Sequence, residues 1–301
     1  MRVWEFVKVN GSMVRIDNRL SDMIGLIDGG CIYSTLFKYK GDGAKEYELI
    51  LSAFPQENYK TLAYVTIYLR DVPGATAQAT KFLGSRNVSI LNSISLNAIS
   101  DTAIWKILVN LSFAGETGII LESFKTMKDS DDPSVSKLDQ IEVKPADISQ
   151  VFRSKTRQSN KTELRRGAPF TLKNGAFDIS AEYSDILNDL DGSIAMIIAD
   201  LGSWMLSITI LKKGTKLVRM RFNIPDCPGS IQQVVDYLAE ENVNLISVFS
   251  KVKICYQTMT LDISADLGAC RHSVSGMREE MSKALREMNG IFELAEYKEM
   301  N

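Results

Sequence analysis

Hydrophobic and polar residues alternate in two long stretches of the chain, residues 64–69 and 218–224, which predicts a β-strand in each. The second stretch is followed by residues 231–238, where hydrophobic side chains recur at the spacing of one helix face. Two further strands, a second helix and a last strand are predicted after each stretch. The resulting order, βαββαβ, occurs twice and predicts an α+β protein with two ferredoxin-like domains.

These two patterns belong to a longer internal repeat. The segment RDVPGATAQATKFLGSRNVSIL, from Arg70, recurs as PDCPGSIQQVVDYLAEENVNLI, from Pro225. Nearer the N-terminus, VKVNGSMVRIDNRLSDMIGLIDG recurs as TLKNGAFDISAEYSDILNDLDG, from Thr171. The earlier segment predicts a strand, a glycine turn, a short strand, a short helix and a strand, with Asp17 and Ser180 as helix N-caps. We therefore infer a tandem duplication of a small module A and a larger module B.

The repeat divides the chain into five segments. The A modules are residues 1–56 and 168–214, the B modules are residues 57–146 and 215–301, and residues 147–167 connect the two halves. The first copy is longer between its two modules, and the extra residues fall in the loop-rich segment 39–60. Residues 149–166 contain six basic residues and one acidic residue, which is typical of a solvated linker. An anion-binding or nucleic-acid-binding arm is the alternative.

Each B module has a strand, an Asp-x-Pro-Gly turn, a helix, an Asn-Val segment and a long following strand. This pattern resembles the ACT domain, a regulatory module that binds small molecules. The resemblance implies that the B modules pair side by side and bind an amino acid at the shared edge, and no cofactor is indicated. The implied ligand-binding residues are Asp71, Val72, Pro73, Gly74, Ser89 and Ile90 in the first copy, and Asp226, Cys227, Pro228, Gly229, Ser230, Asn244 and Leu245 in the second.

The chemistry of these residue types suits an amino acid. N–H groups at a helix start receive a carboxylate, and an aspartate such as Asp226 pairs with an ammonium group. Asn244, which begins the next strand, adds a hydrogen bond, and the second copy is favoured because Ser89 is shorter. The alternative is that Asp71 and Asp226 only cap helices.

The A modules resemble the AbrB-like swapped-hairpin family. The resemblance implies that two A modules pair by interleaving their hairpins, and many members of that family bind DNA through basic residues. Ser12 and Ala176 stand where a basic residue usually follows the turn glycine, and Asp178 and Asp185 make the second copy acidic. A pairing role is therefore favoured over DNA binding. The candidate DNA-contacting residues are Lys8, Arg15, Arg19, Arg153, Arg157, Arg165 and Arg166.

Charge and motif content limit the function further. Thirty-five basic and 37 acidic residues exclude a uniformly basic nucleic-acid-binding surface. No CxxC pair, Walker A motif, GxGxxG or GxSxG is present, and Cys227 with His272 is the only Cys/His pair that an enzyme hypothesis offers. The charged N-terminus and the short apolar runs favour a cytoplasmic protein.

Two functions follow from these features. The first is a non-catalytic regulatory protein that binds an amino acid at paired B modules and acts allosterically on a partner, such as a regulated enzyme. The alternative is an amino-acid-responsive transcription regulator that binds DNA. In both, we expect an internal pseudo-dimer in which the A modules interleave and the B sheets lie edge to edge, and further homo-oligomerisation stays open.

Overall fold

The computed structural model is an α+β fold with one central sheet and two ferredoxin-like modules. The structure describes residues 2–41, 43–53, 61–97, 101–114, 117–146, 161–200, 205–288 and 290–300. Every strand pairing in this part of the chain is antiparallel.

The two A modules form one interleaved unit. Their strands are β1 (Arg2–Lys8), β2 (Met13–Arg15), β3 (Cys31–Tyr39) and β4 (Lys45–Ser52) in the first copy, and β9 (Lys161–Thr171), β10 (Ala176–Asp178), β11 (Ile194–Asp200) and β12 (Met205–Leu211) in the second. The six-stranded sheet has the order β1-β11-β12-β4-β3-β9, and β2 pairs with β10. Both outer strands therefore pair with the other copy, as the interleaving prediction requires.

One face of the central sheet carries a core that is shared by both copies. Val14 of β2 and Phe177 of β10 are buried in it together with Tyr183. The hydroxyl group of Tyr183 lies 2.6 Å from Ser34 Oγ of the other copy. Two short helices, α1 (Asn18–Met23) and α4 (Ser180–Tyr183), also belong to the A modules.

The caps of these helices differ from the prediction in one case. Asp17 caps α1 as predicted and accepts a hydrogen bond from the N–H of Arg19. Ser180 does not cap α4, because Ile179 precedes the helix without a side-chain bond. Instead, Asp178 accepts bonds from the Ser180 N–H and hydroxyl and from Ser12 of the first copy, and these bonds lower the pKa of Asp178.

Two segments that the sequence suggested were irregular are strands. Part of the loop-rich segment 39–60 forms β4, which pairs with β12 at the centre of the sheet. The last part of the predicted linker forms β9, which pairs with β3. Alternation is interrupted in β9 by the charged run at residues 161–166, which explains why its strand character was missed.

The B modules have the predicted ferredoxin-like topology. The first contains β5 (Leu62–Arg70), α2 (Ala75–Gly84), β6 (Ser89–Asn97), β7 (Thr102–Asn110), α3 (Thr117–Asp129) and β8 (Leu138–Pro145), with the sheet order β6-β7-β5-β8. The second contains β13 (Leu217–Pro225), α5 (Ser230–Glu240), β14 (Asn244–Ile254), β15 (Thr258–Asp266), α6 (Val274–Glu287) and β16 (Glu293–Glu299), with the equivalent order β14-β15-β13-β16. Each module has its own core between sheet and helices.

Both B modules pack on the same face of the central sheet, opposite the shared core. Ile50 and Met205 share a hydrophobic cluster with Leu62 of the first module, and Met196 shares another with Leu217 of the second. The two B sheets remain separate in the described part of the chain. The prediction that they lie edge to edge is therefore wrong, because each module is held by the central sheet rather than by the other module.

Of the helices in the described ranges, none combines the length and the apolar composition that crossing a membrane requires.

Candidate functional site

The loop after β13 forms one side of a cleft in the second B module. Pro225 ends the strand, and Gly229 has a φ angle of 89°, which glycine adopts without strain. The loop then turns into α5. The cleft has a volume of about 570 Å³ and is lined by Asp226, Cys227, Pro228, Gly229, Ile231, Gln232, Val235, Asp236 and Met259. Four of the predicted ligand-binding residues therefore share one concave surface.

The carboxylate of Asp226 joins this loop to the turn between β14 and β15. Its Oδ2 atom accepts a hydrogen bond of 2.7 Å from the N–H of Tyr256. The N–H of Asp226 donates to the carbonyl oxygen of Gln257 at 3.1 Å. Helix α5 is instead preceded by Gly229, without a side-chain cap. The alternative that Asp226 caps the helix is therefore wrong.

Ser230 has a structural role within the loop. Its side chain is buried, and Ser230 Oγ lies 3.1 Å from Cys227 Sγ. Its N–H donates to the carbonyl oxygen of Cys227 at 3.3 Å. This pairing leaves the N–H groups of Ile231 and Gln232 as the donors at the helix start, because first-turn N–H groups have no intrahelical acceptor.

Asn244 and Leu245 lie at the other end of the sheet from this loop. Asn244 pairs with Asp266, whereas Pro225 pairs with Thr258 at the opposite end of β15. Strands β13 and β14 both run antiparallel to β15, so they start at the same end of the sheet. The prediction that one module brings Asn244 and Leu245 to the Asp226 loop is wrong for this reason.

The first B module has the same geometry. Ser89, which is followed by Ile90, pairs with Asn110, whereas Arg70, next to Asp71, pairs with Thr102 at the other end of β7. Ser89 and Ile90 are therefore also remote from their own Asp-x-Pro-Gly loop.

The loop of the first module differs in charge from that of the second. Gly74 has a φ angle of 83° and precedes α2. The ammonium group of Lys137 donates to the carbonyl oxygen of Pro73 at 2.8 Å, which places a positive charge beside residues Asp71, Val72, Pro73 and Gly74. In the second module, the residue directly before β16 is the uncharged Phe292. Sequence reasoning missed Lys137, because its role depends on β8 lying next to β5.

The candidate DNA-contacting residues are spread over the A unit. Lys8 is on β1 and Arg165 and Arg166 are on β9, the two opposite edges of the central sheet. Arg165 forms an ion pair with Asp185, which lowers the pKa of that carboxyl group, and Arg166 pairs with Glu163 at 2.8 Å. The exposed residues Arg15 and Arg19 are on β2 and α1, and Arg153 and Arg157 lie outside the described residues.

The Cys227/His272 pair is not assembled. Cys227 precedes α5, whereas His272 Nε2 lies 3.1 Å from Glu241 Oε2, directly after the end of that helix. The length of α5 therefore separates the two side chains. Among the described residues, no three His, Cys, Asp or Glu side chains are grouped so as to hold a metal ion.

The comparisons with known proteins found similarity only among solved structures, since no family model and no curated protein matches the chain. A candidate glycine cleavage system transcriptional repressor is 8% identical with a TM-score of 0.25, over 79% of this chain and 98% of that chain. The ligand-free regulatory subunit of aspartate kinase from Thermus thermophilus is 10% identical with a TM-score of 0.23, over 76% of this chain and 92% of that chain. An unknown protein from Galdieria sulphuraria is 12% identical with a TM-score of 0.23, over 80% and 99% of the respective chains. The ferredoxin-like assignment of the B modules rests on their strand order.

Proposed function

We propose that this chain is a non-catalytic regulatory protein that binds an amino acid at its B modules and acts allosterically on a partner. The proposal takes the B modules as ACT domains and the A modules as an AbrB-like pairing scaffold. The observation that carries it is the cleft of about 570 Å³ beside the Asp226 loop. This volume lies within the range of small-molecule sites.

The lining of the cleft suits the three parts of an amino acid. The carboxylates of Asp226 and Asp236 are partners for an ammonium group. The N–H groups at the start of α5 are donors for a carboxylate. Ile231, Val235 and Met259 supply an apolar wall for a side chain.

The hydrogen bond from Tyr256 to Asp226 offers a route by which ligand binding in the cleft changes the β14–β15 turn. An ammonium group that pairs with Asp226 competes for the carboxylate that holds the β14–β15 turn. Because β14 is an edge strand, a change at this turn alters the surface that a partner meets. The partner is a second copy of the chain or a regulated enzyme.

A thermal-shift screen of the free L-amino acids, with the Asp226→Asn variant, tests this proposal. Asparagine keeps an oxygen acceptor for the Tyr256 N–H but removes the charge. We expect one amino acid to raise the Tm of the wild-type protein, and its affinity for the variant to fall about tenfold to a hundredfold. Asp71→Asn is the matched variant in the first copy. Equal ligand-induced shifts in wild type and both variants, or no shift with any amino acid, would contradict the proposal.

The DNA-binding alternative receives no support from an arrangement of basic residues. A DNA backbone needs several cations on one surface, but Lys8 and Arg166 are on opposite edges of the sheet, and Arg165 and Arg166 each pair with a carboxylate.

A further inference from the structure

The second B module contains another cavity, on the face of its sheet that points away from the helices. Phe222 and Ile224 of β13 are buried against the helices, so Asn223 and Pro225 face the other side. They line a cavity of about 540 Å³ together with Lys253, Ile291 and Glu293, among others. This cavity is separate from the Asp226 cleft, which lies beside α5.

An uninterrupted polar connection joins two opposite charges across this cavity. The ammonium group of Lys253 donates to Asn223 Oδ1 at 2.7 Å. Asn223 Nδ2 donates to Glu293 Oε2 at 2.7 Å. The amide group of Asn223 therefore bridges the ammonium group of Lys253 and the carboxylate of Glu293 through one hydrogen bond to each. Lys253 retains further donors and Glu293 retains a further oxygen atom for a ligand.

Apolar groups stand beside these charges. Pro225 and Ile291 line the cavity, and the side chain of Ile291 is 88% exposed. Ile254, which is paired opposite the lining residue Thr258, is 53% exposed. These residues supply apolar surface beside the two charges.

The first B module has larger side chains at the equivalent strand positions. Tyr68 and Arg70 occupy the positions on β5 that Asn223 and Pro225 occupy on β13. Tyr68 donates to Glu142 at 3.4 Å, and Arg70 lies 3.4 Å from Asp139. The replacement of two large side chains by asparagine and proline leaves room for a ligand in the second copy.

We infer that this second cavity binds an α-amino acid with an apolar side chain, as a zwitterion. The ligand carboxylate pairs with Lys253, its ammonium group pairs with Glu293, and its side chain covers Pro225 and Ile291. The inference deepens the proposed function, on which it rests for the ligand class, but it names a different place on the second module.

Methyl NMR of protein labelled at isoleucine Cδ1 distinguishes the two places. Ile291 reports on this cavity and Ile231 reports on the Asp226 cleft, and Ile→Val variants at each position assign the two signals. The probes are L-leucine, L-methionine and L-phenylalanine. We expect at least one of them to shift the Ile291 signal saturably. A shift of Ile231 alone would overturn the inference and leave the proposed function standing. No shift at either residue with any of the three would overturn the inference, and the screen of all free L-amino acids would then decide the proposed function separately.

Protein variants and ligand analogues then test whether both charges of the amino acid contribute to binding. Lys253→Met and Glu293→Gln should each weaken the Ile291 response about tenfold to a hundredfold, whereas Lys251→Met on the same strand should not. Isoamylamine and 4-methylpentanoate, which each carry one of the two charges of leucine, should bind much more weakly than L-leucine. Asn223→Tyr copies the first module and should abolish the response with an unchanged Tm of the free protein. Equal responses in wild type, Lys253→Met and Asn223→Tyr would overturn the inference.

Discussion

At the scale of single residues, Glu48 is a carboxylate with only 8% exposure in the central sheet. It accepts hydrogen bonds from Ser207 Oγ at 2.7 Å, from Lys161 Nζ at 2.6 Å and from the Tyr39 hydroxyl at 3.1 Å. Burial and the neighbouring Glu48 raise the pKa of Tyr39, which therefore stays protonated as a donor. These three donors compensate for the lost hydration of the charge.

Lys161→Met should lower the free energy of unfolding by roughly 3 kcal/mol, because it leaves the Glu48 charge buried without its cation. The double variant Glu48→Gln with Lys161→Met should recover much of this loss, since a neutral amide replaces the charge. Urea unfolding measures both. A Lys161→Met protein as stable as wild type would show that the pair is not important for stability.

The raised pKa values of Tyr237 and Tyr297 predict how the free energy of unfolding depends on alkaline pH. Burial raises the pKa of each from 10.0 to about 12, and nearby groups, Glu241 for Tyr237 and Cys270 for Tyr297, add to the effect. Because the folded pKa is higher than the unfolded one, this stability is fully present below pH 10 and is lost as the pH rises towards 12.

Replacement of Tyr237 by phenylalanine tests this dependence of stability on pH. Tyr237→Phe should make the fall in unfolding free energy over that pH range shallower, because one of the titrating groups is removed. Tyr256→Phe is the matched control, since Tyr256 is 92% exposed, and it should retain the wild-type fall. Urea unfolding at a series of pH values measures the three curves. Indistinguishable curves for Tyr237→Phe and wild type would contradict the assignment.

The residues of the Asp226 loop could be found from the sequence because their chemistry is local. Proline and Gly229 at adjacent positions predict a turn into a helix, and the structure forms a cleft there. Gln232 and Asp236 were missed, because the sequence does not show which polar residues of an amphipathic helix face a loop. Asn244 was misplaced, because the resemblance suggested proximity without the direction of the strands.

At the scale of elements, the B modules were the more predictable part. Strand β14 begins at Asn244 as expected, since the Asn-Val segment of the repeat marks its start. The A strands are less regular in sequence, and their partners are in the other copy. Pairing of β4 with β12 and of β3 with β9 joins residues far apart in the chain, which local patterns do not predict.

This interleaving predicts that the two halves of the chain depend on each other. If the chain is divided within residues 147–160 and both halves are expressed together, they should co-purify as a one-to-one complex through a tag on one half. The reason is that β1 pairs with β11 and β9 pairs with β3. Size-exclusion chromatography with light scattering measures the stoichiometry. Two halves that fold and migrate separately would contradict the interleaved sheet.

For the whole molecule, the separate B sheets leave β14 at an edge. Val248, Phe249, Val252 and Ile254 on this strand are each more than 40% exposed. Edge strand β6 of the first module is more polar, with serine or asparagine at four of its first seven positions. An exposed apolar edge invites pairing with another strand. We expect two copies of the chain to associate through their β14 edges.

A charge on this edge should prevent that association. Val252→Lys should convert the dimer to a monomer in sedimentation equilibrium, because it removes an apolar side chain from the interface and adds a third lysine beside Lys251 and Lys253. Ile94→Lys on β6 is the matched control, since Ile94 is also exposed, and it should leave the dimer intact. The same molecular mass for wild type and Val252→Lys would exclude β14 as the interface.

Isothermal titration calorimetry of the full chain with each free L-amino acid measures directly whether this protein binds an amino acid. We expect a saturable heat of binding for at least one of them, and a weaker affinity for that ligand in Asp226→Asn or Lys253→Met according to which cavity it occupies. The absence of a saturable heat with every amino acid at millimolar concentration would contradict a role of this chain as an amino-acid sensor.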